Sequence, residues 1–183
     1  MPRKRIYAND ATESVGLLLK IRLPWLIFGL LLSLGMAAVV SHYEAILSFD
    51  ARIAFFIPLI VYVSDAVGTQ TATIYIRNLG KKQARFRTYI AKELLLGLSI
   101  GIIFGLIIGV VTKFWLGSDT VALAVGLSLV ASIISASVMS LTFAATLNRL
   151  RIDPAIGVDP IVTVIQDVIS LLIYFTVASL IIS

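Results

Sequence analysis

The chain has 183 residues, 59% of them hydrophobic and 14% charged, with a net charge of +5, one histidine and no cysteine. A mean hydropathy of +1.02 is more than a water-soluble domain of this size needs, and the apolar residues fall in long runs, so the chain reads as one membrane domain. Disulfides, thiolate metal sites, thiol nucleophiles and histidine clusters are excluded, and basic residues set beside apolar runs fit anionic lipid headgroups and no nucleic acid.

Met1 to Arg5 is basic, but the polar stretch Tyr7 to Ser14 follows it and no small-residue cleavage site ends a short apolar core. The N-terminus is therefore expected to stay attached. Thr12 to Arg22 places Val15, Leu18 and Leu19 on one face, with Lys20 and Arg22 at headgroup level, which predicts a short interfacial helix. Five apolar spans follow, at about Pro24–Tyr43, Ala54–Ile76, Leu94–Thr112, Thr120–Leu147 and Pro160–Ile182. The expected fold is all-α: a polytopic membrane protein with five transmembrane helices preceded by a short amphipathic helix. Residues 1–21 form a cytoplasmic N-terminal segment and residues 22–183 the transmembrane domain.

Lysine and arginine set the expected orientation. Arg3, Lys4, Arg5, Lys20 and Arg22 precede the first span; Arg77, Lys81, Lys82, Arg85, Arg87 and Lys92 follow the second; Arg149 and Arg151 follow the fourth. Only Arg52 and Lys113 fall on the other side, so the N-terminus is placed in the cytoplasm and the C-terminus outside, in the plasma membrane. The third span carries Gly97, Gly101, Gly105 and Gly109, a ladder that permits close helix approach. Ser128, Ser132, Ala136, Ser140 and Ala144 repeat the four-residue spacing on the fourth span, and the simplest arrangement packs these two faces together.

Carboxylates inside the spans carry the chemistry, because each costs about 2.5–3.5 kcal/mol at a helix centre and faces a cavity or a partner. Asp65 lies near the middle of the second span and Asp167 in the fifth. On the fifth span Asp159, Thr163, Gln166, Asp167, Ser170 and Tyr174 share a polar stripe opposite Ile161, Val164, Ile165, Val168 and Leu172. On the second, Pro58, Tyr62, Asp65 and Thr69 share a face, and Pro58 frees a backbone carbonyl that could face water or an ion. Two readings stay open at this level: ion ligands, or carboxyls hydrogen-bonded to neighbouring helices. Asp159-Pro160 also reads as a helix cap and first turn, as does Asp153-Pro154. A set of carboxylate, hydroxyl and amide oxygens favours Mg²⁺, Ca²⁺ or Mn²⁺ over softer metals, and Mg²⁺, which keeps several waters, needs no dense cage.

These residues resemble the membrane domain of the MgtE magnesium transporters and channels, from Arg22 to the C-terminus. The stretches that carry the resemblance are Arg22-Leu-Pro-Trp25, Gly68-Thr69-Gln70, Lys92-Glu-Leu-Leu-Leu-Gly97, Ile152-Asp-Pro-Ala155 and Pro160-Ile-Val-Thr163 with Asp167. The resemblance implies a homodimer with a cation pathway at the subunit interface, lined by the second and fifth helices, and makes Asp167 the match to the family's pore aspartate. Asp65, Thr69, Asp159, Thr163 and Gln166 join it as candidate metal-binding residues. The chain departs from the family pattern Gly-Gly-Asn-Ala-Gly-Thr-Gln at Ser64-Asp-Ala-Val-Gly-Thr-Gln70, where an acid appears at Asp65 and Ala66 replaces asparagine; Asp159 stands where glycine is usual. The segment before Arg22 is too short for the family's N and tandem CBS domains. Gating through them is not expected here unless a partner chain supplies it or the sequence is a piece of a longer protein.

The expected function is therefore divalent cation transport, with Mg²⁺ as the transported ion, the electrochemical gradient as driving force, the lipid bilayer and a second copy as partners, and no organic cofactor. No G-x-x-x-x-G-K-[ST] nucleotide motif occurs. The alternatives are an ion-coupled carrier using the same acids, an intramembrane aspartyl hydrolase using Asp65 and Asp167, for which no glycine-x-glycine-aspartate motif is present, and a non-transporting membrane subunit.

Overall fold

Runs of leucine, isoleucine and valine long enough to cross a bilayer satisfy their backbone only by closing every hydrogen bond within the segment, which makes them helices. The computed structural model describes residues 13–80, 86–150 and 159–182, with the side chains of residues 25, 80, 150 and 159–161 excepted. The helices are α1 (Val15–His42), α2 (Glu44–Phe49), α3 (Ile57–Gly80), α4 (Phe86–Leu116), α5 (Asp119–Leu150) and α6 (Asp159–Ile182), with a 3₁₀ turn at Ala51–Phe56 between α2 and α3. Five of these segments are long and apolar enough to cross a membrane. Met1 to Thr12, Lys81, Lys82, Arg85, and Arg151 to Val158, on which some of these expectations fall, lie outside the described residues.

The stretch expected as an interfacial helix is helical from Val15 and runs without a break into the first span, so both belong to α1. Pro24 lies inside α1 without ending it, at the cost of one backbone hydrogen bond. This helix packs against α6 and turns most of its leucines outward, as a lipid-facing helix does.

Asp50 caps the 3₁₀ turn that leads into the second span: its Oδ1 accepts from the Arg52 backbone N–H at 3.0 Å, and its Oδ2 from Arg52 Nη2 at 2.6 Å. Arg52 Nη1 also donates to the Leu116 carbonyl at the end of α4, at 3.4 Å. Pro58, expected to free a carbonyl for water or an ion, stands at the second residue of α3, and the carbonyl four residues before it, Ala54, already accepts from the Ile57 N–H. That carbonyl is thus spent inside the turn, because a 3₁₀ bond replaces the one proline removes.

Helix α5 occupies the centre, touching α3, α4 and α6. Ile53, Ile60, Val125, Ile133, Leu171 and Phe175 are among the buried residues that close around it. The glycine ladder of α4 does pack on α5, but not on the serine face. A β-carbon at Gly105 would lie 2.7 Å from the Gly126 carbonyl, one at Gly101 would lie 3.1 Å from Val130 Cα, and one at Gly109 would lie 3.5 Å from the Ala122 carbonyl. The receiving stripe is Ala122, Gly126, Val130 and Ser137. The serine face turns instead toward α3, where a β-carbon on Gly68 would meet Ser140 Oγ at 2.5 Å. A glycine ladder is flat enough to accept valine across from it, so small residues are not required on both sides.

Candidate functional site

Asp65 and Asp167 each stand in the third turn of a 24-residue helix, α3 and α6, and these two helices pack against each other. Both residues are half-buried, and the Asp65 carboxyl lies within electrostatic reach of Asp167. Asp167 Oδ1 is buried and has no hydrogen-bond partner. Beside it, Gln166 is 2% exposed; its Nε2 donates to Ser170 Oγ at 3.1 Å, while its Oε1 is left without a partner. Ser64, next to Asp65, is fully buried with an unpartnered Oγ. Two packed membrane helices that carry three unsatisfied buried oxygens call for water or a cation, since such atoms cost free energy when dry.

The polar stripe expected along the fifth span divides in two. Gln166, Ser170 and Tyr174 are buried inside the chain, and Tyr174 donates its hydroxyl hydrogen to the Ile53 carbonyl at 2.7 Å, which makes it a structural tie. Thr163 and Asp167 remain half-exposed. Asp159 is the first residue of α6, and its side chain lies outside the described residues. On α3, Tyr62, Ala66, Thr69 and Thr73 recur at helical spacing on an exposed face, with Tyr62 75% exposed and Asp65 at its edge.

Among the described residues there is no group of three or more histidine, cysteine or acidic side chains that could hold a metal. The chain therefore offers two carboxylates and neutral oxygens here, a set suited to an ion that keeps much of its own water. Sequence reasoning missed a third intramembrane acid, Glu93, which is 8% exposed two turns into α4 and accepts from Thr71 Oγ1 at 2.9 Å. Its signal was present: Glu93 stands one four-residue step before Gly97 and continues the glycine ladder.

A bundle of five membrane-length helices, with a carboxyl on each of two that pack together, defines a polytopic α-helical membrane protein. The chain belongs to the MgtE family: the family model described as divalent cation transporter matches residues 57–177, from α3 through most of α6. It is 31% identical over 161 residues to the magnesium transporter MgtE of Bacillus subtilis, covering 86% of this chain and 36% of that protein. It is 33% identical over 162 residues to the magnesium transporter MgtE of Enterococcus faecalis, covering 87% of this chain and 36% of that protein. The chain thus spans about a third of the length of the curated relatives it matches. The family is one of transporters, not of enzymes.

Proposed function

We propose that the protein conducts a divalent cation, Mg²⁺, across the membrane through a pathway between two copies of the chain, lined by α3 and α6. The observation that carries this reading is the unpartnered, buried Oδ1 of Asp167, within electrostatic reach of the Asp65 carboxyl. Asp167 is the central ligand, direct or through water, with Asp65, Thr69, Asp159 and Thr163 as its companions along the path and the buried Gln166 backing them from inside the chain. The exposed face Tyr62, Ala66, Thr69 and Thr73 supports a second copy as the other wall, because hydroxyls facing hydrocarbon are costly and a two-fold partner would bring an identical polar face to a shared axis. The naming of relatives as magnesium transporters supports the choice of ion.

Residues 22–183 serve as the transport domain and residues 1–21 as a cytoplasmic segment, with the C-terminus outside. The membrane potential suffices as driving force, since a divalent ion moving inward across about 100 mV gains roughly 4.6 kcal/mol. Uptake of Mg²⁺ and Mn²⁺ into vesicles holding equal amounts of folded wild type and Asp167→Asn tests the proposal. The variant should fold and dimerise yet lose most flux; equal uptake would remove Asp167 from the path. Protease-accessible tags at each end in sealed cells test the orientation, which fails if only the N-terminal tag is cut from outside.

A further inference from the structure

Glu93 is an acid for which the pathway above has no use. It sits where α4 crosses α3 and α5, and with Gln70, Thr71, Gly97 and Ser137 it lines a cavity of about 60 Å³. Ser137 is 1% exposed, and its Oγ has no hydrogen-bond partner. That hydroxyl points toward Gly97, since a β-carbon there would lie 2.9 Å from it. Glu93 Oε2 accepts from Thr71 Oγ1. Among the described residues lining the cavity none is basic, and the remainder are apolar.

A buried carboxylate with one hydroxyl donor and no counter-charge is an incomplete arrangement, because a single neutral hydrogen bond does not offset removal of a full charge from water. The unused Ser137 hydroxyl and the Gln70 amide supply further oxygens on the same small space. We propose that this cavity binds a small alkali cation, of sodium's size and charge, at a site separate from the divalent pathway. Charge decides against a divalent ion, since one carboxylate would leave a net positive charge in the hydrocarbon. Size decides the same way. At roughly 10–15 Å³ per water-sized sphere, the cavity holds about four to six such spheres, fewer than a magnesium ion with its octahedral water shell. Carboxylate, hydroxyl and amide oxygens are the hard donors an alkali ion takes.

The test uses the full chain in lipid nanodiscs, with thermal midpoints measured against NaCl and against choline chloride at constant ionic strength. Binding to the folded state alone raises the midpoint saturably. Wild type should show such a rise with sodium and none with choline. Glu93→Gln should lose it, and Ser137→Ala should need about tenfold more sodium, the scale of one lost hydrogen bond. Asp167→Asn should keep the sodium response. If Glu93→Gln does not fold, Thr71→Val and Ser137→Ala carry the test in its place. The inference is overturned if wild type shows no sodium-specific rise, which leaves a bound water only, or if the response survives in Glu93→Gln. It is also overturned if Asp167→Asn abolishes the response, which would place the ion in the pathway. Magnesium flux through Asp167 can fail or succeed independently of all these readings.

Discussion

The hydroxyl of Tyr174, fully buried on α6, donates to the main-chain carbonyl of Ile53 in the 3₁₀ turn at 2.7 Å. This bond ties the end of the fifth span to the point where the chain re-enters the membrane, and Phe175 beside it stacks on Tyr43 with ring centroids 4.8 Å apart. Tyr174→Phe keeps the ring and removes one buried hydrogen bond, so it should cost about 0.5–1.5 kcal/mol of stability. The sequence places Tyr174 on the polar stripe of the fifth span, and a residue on the ion path would show a flux defect instead. Denaturation in mixed micelles, paired with vesicle uptake normalised to folded protein, separates the two: stability should fall and normalised uptake should hold.

Substituting glycine by alanine should have opposite effects at two positions. At Gly35, where an added β-carbon meets nothing within 4 Å, alanine should stabilise α1 by up to about 1 kcal/mol through helix propensity. At Gly105, an added β-carbon would lie 2.7 Å from the Gly126 carbonyl, and a backbone atom cannot step aside as a flexible side chain can. Gly105→Ala should therefore destabilise, by about 1–3 kcal/mol as overpacking does. Thermal midpoints of the two variants in one detergent decide the matter; equal shifts in the same direction would mean that α4 and α5 do not approach this closely.

The five spans were legible because their length and apolar content leave the backbone no other solution. Faces were less so. Small residues recur at four-residue spacing on more than one side of α5, and the glycine ladder announces a close neighbour without saying which side receives it; Gly126, whose own added β-carbon would lie 2.9 Å from the Gly105 carbonyl, marks the side that does. Glu93 was overlooked because hydropathy begins the third span at Leu94, whereas helical hydrogen bonding carries α4 back to Phe86 and draws the acid in with it. Asp65 and Asp167 were legible as intramembrane acids because a carboxyl inside an apolar run stands out at any register. That α3 and α6 bring them together is a tertiary fact that periodicity within either helix does not contain.

Outside the spans, the Asp50 and Arg52 pair gives a pH signature. The Arg52 side chain, through its hydrogen bonds to the carboxylate, holds Asp50 below the ordinary carboxyl value of 3.8, against an opposing push from partial burial. A lowered native value means that the unfolded state binds its proton first, so the stabilisation is present above pH 3.8 and is lost as pH falls through the native value. Asp50→Asn should thus be less stable than wild type near neutrality, and the gap should close only below about pH 4. Unfolding midpoints of both proteins between neutrality and acid check this, and a constant gap throughout would show that Asp50 acts only as a cap.

The pairing of Asp65 with Asp167 makes the most specific forecast about the ion. If one partly hydrated Mg²⁺ contacts both carboxylates, removing either charge removes a charged partner, about 1.5–3 kcal/mol or roughly ten- to a hundredfold in affinity. The second removal then costs less than the first, because the ion has already lost the geometry that made both contacts strong; residues that share a ligand are not additive. Asp65→Asn and Asp167→Asn should each weaken Mg²⁺ binding, and the double variant should fall short of the product of the two losses. Two carboxylates at separate points of the path would multiply their effects. A structural Asp65, held by the bundle and blind to the ion, would leave the Kd of Asp65→Asn at the wild-type value while lowering the thermal midpoint. Magnesium titration of the four proteins by calorimetry, each first shown to be folded and of equal oligomer size, distinguishes the three cases, and only sub-multiplicative losses support a shared ion.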